Sequence, residues 1–186
     1  MRASDIPNLI TAGRILLVPP IAWALVQQRF LLALILFFIA GVSDAADGFL
    51  AKYYGWTSRL GALLDPLADK SLLVTSYAAL AWIGLLPLWL LVLVVVRDVV
   101  IVSGAVVYNF HVERLEADPT LISKLNTLLQ ILLVLLVIIH QATGWGESGW
   151  VDMLIYAVAV TVVWSGIDYV ITWSRRARDA GSSSSG

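Results

Sequence analysis

An all-α membrane bundle of six transmembrane helices, with both termini cytoplasmic, is the fold this sequence predicts. Three observations predict it. The 186 residues are 60% hydrophobic and only 13% charged, where a soluble domain carries about a quarter charged residues. The apolar residues gather into six runs, each of about 20 residues or more, enough to cross roughly 30 Å of hydrocarbon. Lys and Arg then fall almost wholly on one side of those runs: Arg2, Lys52, Arg59, Arg114, Lys124, Arg175, Arg176 and Arg178 face Arg29 alone. By the positive-inside rule, the basic side is cytoplasmic.

The runs are expected at 7–27, 30–53, 59–84, 86–111, 121–142 and 150–173. The first starts near Pro7 and continues as a full span rather than as a cleaved leader. Pro19 and Pro20 should kink it, and Pro66 should perturb the third. Pro87 and Pro119 suit the openings of the fourth and fifth, where a missing N–H does little harm, and Asp118 suits an N-cap. Trp89, Trp145 and Trp150 fit an aromatic belt on the far side, and Trp56 and Trp173 fit one on the near side. Short connections should make consecutive helices antiparallel neighbours. Residues 1–179 form one membrane domain, and 180–186, ending in "GSSSSG", read as a flexible tail or expression scar. With no cysteine there is no disulfide, thiolate site or cysteine nucleophile. The net charge of −1 says nothing about nucleic acid, and no basic tract is long enough to suggest such a partner, so none is expected.

Four carboxylates break this apolar pattern. Asp44, Asp47, Gly48 and Ala51 share one side of the second helix, and Gly61, Asp65 and Asp69 form an i, i+4, i+8 row on the third. An ionised Asp at the centre of a membrane helix costs roughly 2.5–3.5 kcal/mol, and four also repel one another. Lys52, Arg59 and Lys70 offset only part of this. Cations bound between the two rows would offset the rest. An oxygen-only donor set favours hard Mg²⁺ or Mn²⁺ over Zn²⁺, and four carboxylates can hold two such ions, an arrangement suited to displacement at phosphorus. Two blander readings stand beside it. The carboxylates could be solvated at membrane ends, or line a cation or proton path in a transporter. Against the latter, they crowd at one membrane face, whereas transporter sites lie near the midplane.

The stretch "DAADGFLAKYYGWTSRLGALLDPLAD" resembles the signature of the CDP-alcohol phosphatidyltransferases, D-x2-D-G-x2-A-R-x8-G-x3-D-x3-D. Asp44, Asp47, Gly48, Ala51, Gly61, Asp65 and Asp69 match; Lys52 stands where the family usually has Arg, keeping the charge but losing the planar fork. The resemblance implies a six-helix membrane enzyme working with two divalent cations, Mg²⁺ or Mn²⁺. Asp44, Asp47, Asp65 and Asp69 would hold the metals, with Asp69 also the general base. Asp44, Gly48, Ala51, Lys52 and Gly61 would border the CDP moiety. The donor would be CDP-diacylglycerol and the leaving group CMP. A homodimer in the bacterial inner membrane, with its active site facing the cytoplasm, is also expected.

"VVRDVVIVSGAVVY" and "DPTLISKLNTLLQILLV" resemble the eukaryotic-type cardiolipin synthases, while "IPNLITAGRI" resembles both that group and the phosphatidylglycerophosphate synthases. The favoured acceptor is therefore phosphatidylglycerol, giving cardiolipin, and the alternative is glycerol 3-phosphate. Either acceptor carries a phosphate, for which Arg97, Lys124, Arg14 and Asn8 are the candidates. Arg97 and Asp98 point about 100° apart on one helix, so they are expected to pair poorly. Lys124 could instead snorkel to the interface. Asn126 and Gln130 could bond between helices or line the acceptor pocket, and His111 and His140 are expected at the interfaces.

Overall fold

The computed structural model describes the backbone of residues 6–54, 59–111, 121–146 and 148–183, and the side chains of 12–44, 70–103, 121–146, 149–169 and 171. Among the described residues six helices follow in order: α1 (Ile6–Val26), α2 (Phe30–Tyr54), α3 (Arg59–Trp82), α4 (Leu88–His111), α5 (Leu121–Thr143) and α6 (Ser148–Ser183). No strand occurs among the described residues. Leu121–Thr143 and Gly149–Tyr169 are long and apolar enough to cross a membrane, and Ala12–Val26 and Phe30–Asp44 are shorter apolar stretches. The helix runs on through Pro19 and Pro20. Asp118 and Pro119 lie outside the described residues.

Beside an apolar core, large apolar side chains lie on the surface while several polar ones are buried. Leu16, Phe38, Trp82 and Leu121 are exposed, whereas Arg14, Ser76, Arg97, Asn126, Gln130 and Ser165 are buried. In hydrocarbon, lipid tails solvate Leu or Phe as well as a core does, so polar groups turn inward to find partners. Hydroxyls that stay on the helices bond their own carbonyls one turn back, as Ser43 does to Ile39 (2.7 Å), Ser76 to Leu72 (2.8 Å) and Thr143 to Ile139 (2.8 Å).

The chain forms two compact units, one from Met1–Leu88 with 134–148, the other from Trp89–Leu133 with Gly149–Gly186. In the first, α1 packs against both α2 and α3. Its buried stripe is Arg14, Ile21 and Leu25, spaced at helical periodicity, and Ala24, Ala33 and Ala40 are fully buried. Such small residues let helix backbones approach closely. The connection after α1 closes by bonds from Gln28 N–H to Leu25 O (2.9 Å) and Arg29 N–H to Ala24 O (2.8 Å), with Gln28 at φ 55°. This is a Schellman turn with Gln where Gly is preferred. The turn after α3 uses Gly84 at φ 79°, with Leu85 N–H bonded to Leu80 O (2.9 Å). In the second unit, Leu90, Val94 and Arg97 of α4, Asn126, Gln130 and Leu133 of α5, and Val158, Val162 and Ser165 of α6 are the inward positions.

Candidate functional site

The signature lies on two helices that both pack on α1. Asp44, Asp47, Gly48, Ala51 and Lys52 fall on α2, and Gly61, Asp65 and Asp69 on α3. Helical backbone therefore carries both rows, as their spacing requires. Of these side chains only that of Asp44 is among those described; Asp47, Gly48, Ala51, Lys52, Gly61, Asp65 and Asp69 lie outside them, as does Asn8. No group of three carboxylate or imidazole side chains gathers among the described residues.

Asp44 sits beside a buried cation. Arg14 Nη1 lies 2.6 Å from Asp44 Oδ1, with the arginine side chain 1% exposed and the aspartate 49%. Removing a guanidinium from solvent costs several kcal/mol, and this contact offsets part of that. The pair spans α1 and α2, so it also ties the signature helix to its neighbour. Arg14, expected among the phosphate-binding groups, thus has one nitrogen committed to the first signature carboxylate. The sequence pointed instead to Lys52, Arg59 and Lys70 as neutralising charges. The clue available was depth: Arg14 lies inside an apolar run, where an arginine needs an anion. A divalent cation fits the donor chemistry here, since Asp44 offers hard oxygens at a half-exposed position that already attracts positive charge.

Arg97 occupies a second polar centre, wholly within the other unit. Its Nη1 donates to Asp98 Oδ1 (2.8 Å), and its Nη2 donates to Ser123 Oγ (2.7 Å) and Ser165 Oγ (2.6 Å). The expectation that Arg97 and Asp98 pair poorly is thus overturned. The 100° offset separates their Cβ directions, but a long flexible arginine stem swings its head back around the helix. Burial rewards that bend, with the two side chains 6% and 15% exposed. Arg97 Nε makes no hydrogen bond among the described residues. Asn126, also fully buried, accepts from Thr161 Oγ1 through Oδ1 (3.1 Å), and its Nδ2 is without a partner there. Asn126 therefore bonds between helices, one of the two roles open to it. Gln130 is likewise buried. Ser123, Thr161 and Ser165 were not singled out from the sequence. Thr161 and Ser165 lie four apart within an apolar run, and that spacing was the available signal.

Lys124 is exposed on α5, one position around from buried-side Ser123. His140 Nδ1 lies 3.2 Å from Trp145 O in the turn after α5, and His111 has no described side chain. Arg97 and Lys124 belong to one unit, and Arg14 and the four signature aspartates to the other.

Comparison with known proteins bears on this arrangement. The family model for CDP-alcohol phosphatidyltransferase matches residues 4–165. A chloroplastic CDP-diacylglycerol–glycerol-3-phosphate 3-phosphatidyltransferase of Oryza sativa subsp. japonica is 34% identical over 92% of this chain and 58% of its own length. A cardiolipin synthase (CMP-forming) of Homo sapiens is 31% identical over 88% of this chain and 60% of its own. A Mycobacterium tuberculosis protein named "Probable phosphatidylglycerophosphate synthase" is 30% identical, over 97% of this chain and 85% of its own. The chain thus spans less than two thirds of the length of the plant and human relatives.

Proposed function

The chain belongs to the CDP-alcohol phosphatidyltransferase family, and from that premise we propose that it moves a phosphatidyl group from CDP-diacylglycerol to phosphatidylglycerol, giving cardiolipin and CMP. The observation that carries the proposal is the signature divided between α2 and α3, both packed on α1, with Asp44 already beside a buried cation. Family membership sets aside the transporter alternative.

Asp69 accepts the proton of the acceptor hydroxyl. The freed oxygen forms a bond to the phosphatidyl phosphorus, the bond from that phosphorus to the CMP oxygen breaks, and CMP leaves with the electron pair. Asp44, Asp47, Asp65 and Asp69 would hold two divalent cations, Mg²⁺ or Mn²⁺, whose bound charge would offset that of the diphosphate and the departing CMP. Gly48, Ala51 and Gly61 leave room for the CDP moiety, and Lys52 adds positive charge beside it. Arg97, Lys124 and Asn8 are the groups proposed for the acceptor phosphate. The diacyl tails stay in the bilayer while the head group enters from the side.

The proposed setting is a bacterial inner membrane crossed by all six helices. Both termini and the signature lie on the cytoplasmic side, where the basic residues concentrate, and the working form is a homodimer. Glycerol 3-phosphate is the second acceptor, favoured by the names of the plant and mycobacterial relatives.

Purified protein supplied with Mn²⁺, labelled CDP-diacylglycerol and one acceptor at a time decides between them. Release of CMP with phosphatidylglycerol alone upholds the first reading, and release with glycerol 3-phosphate alone transfers it to the second. No CMP with either acceptor overturns both.

A further inference from the structure

We infer that Arg14 is a positioning residue for cation binding at Asp44: it locks Oδ1 from the buried side and leaves Oδ2 turned to the divalent ion. This rests on the two-cation reading above and adds to it a residue outside the signature. Three features carry it.

The first is the asymmetry of the pair. Arg14 is 1% exposed and Asp44 49% exposed, so the guanidinium approaches from the protein interior and the carboxylate keeps an open side. The second is rigidity. Arg14 shares its helical stripe with buried Ile21 and Leu25, on a helix that packs against both signature-bearing helices. The guanidinium is thereby held by the same packing that aligns α2 and α3. The third is the unused oxygen. No described residue engages Asp44 Oδ2.

A carboxylate with one oxygen fastened has lost rotational freedom before the ion arrives, so less remains to be lost on binding. Groups that orient metal ligands in this way change metal affinity by about 10–100-fold when removed. Repulsion between the guanidinium and the ion works the other way. Were it dominant, Arg14 would act as a competing cation and its removal would tighten binding. Orientation prevails here because the guanidinium sits behind the carboxylate, not on its open side.

Mn²⁺ titration followed by electron paramagnetic resonance, on the full chain in nanodiscs, reads this directly. Arg14→Gln is expected to weaken Mn²⁺ binding by about 10–100-fold, with a thermal midpoint in EDTA showing that the variant is folded. Arg14→Lys is expected to weaken it less, since an ammonium keeps charge but not the fork. In an Asp44→Asn background, Arg14→Gln is expected to add no further loss. Wild-type or tighter affinity in Arg14→Gln overturns the inference. Should Arg14→Gln fail to fold, wild-type affinity in Arg14→Lys overturns it equally. A wild-type protein that binds no Mn²⁺ defeats the two-cation reading itself, a separate outcome.

Discussion

Among the described residues each unit of the molecule buries one arginine, and the two are satisfied in different ways. Arg14 in the first unit meets a half-exposed carboxylate on another helix, and that carboxylate belongs to the signature. Arg97 in the second meets the aspartate next to it in sequence and two serine hydroxyls on α5 and α6. One guanidinium is tied to a residue with an open side toward solvent. The other is enclosed by short polar groups from three helices. A buried charge therefore says that a partner exists.

The largest test of that contrast lies on the signature itself. Asp69→Asn is expected to lower CMP release by about 10²–10⁴-fold while Mn²⁺ still binds, whereas Asp65→Asn loses the Mn²⁺ signal as well. Near-normal turnover in Asp69→Asn would remove its assignment as base.

Arg97→Met comes next. It removes the guanidinium's contacts with Asp98, Ser123 and Ser165, and a broken buried pair costs about 3 kcal/mol or more. Thermal or denaturant unfolding should show the loss, and Asp98→Asn in the same chain should restore most of it. Mn²⁺ affinity should stay at the wild-type value, the opposite of Arg14→Gln. A fall in Mn²⁺ affinity would erase the distinction between the two arginines.

A smaller effect separates stability from metal binding within the first unit. Gln28→Gly relieves a left-handed backbone at φ 55°, a conformation costing a non-glycine residue about 1 kcal/mol. The unfolding midpoint should rise by about 2–4 °C with no change in Mn²⁺ affinity. The smallest expected change is Asn126→Leu, which removes one interhelical hydrogen bond to Thr161 and shifts stability by about 0.6 kcal/mol. A much larger loss would show that the buried Asn126 amide carries more than that bond.

The helices were legible because each depends on a local pattern. The expected runs at 30–53 and 121–142 correspond to α2 at Phe30–Tyr54 and α5 at Leu121–Thr143. The signature was legible for a related reason: its carboxylates sit at fixed spacings in continuous helix, so their register follows from chain geometry. The partners were less so. Lys52, Arg59 and Lys70 stood as the cations that could offset the aspartates, and Arg14 stood with the acceptor phosphate, because sequence proximity was weighed above depth in an apolar run. Arg97 and Asp98 show the complementary failure, since an angle between adjacent residues was trusted over the reach of a long side chain in a dry setting.

From the sequence alone came the helical class, the membrane setting, the family and the carboxylate rows, because hydropathy, period and residue spacing act over a few turns. Only the tertiary structure chose Arg14 for Asp44 and enclosed Arg97 with Ser123 and Ser165. That choice is made by packing. A buried guanidinium takes whichever acceptors the neighbouring helices bring within about 3 Å, and which helices those are is not written in any one of them.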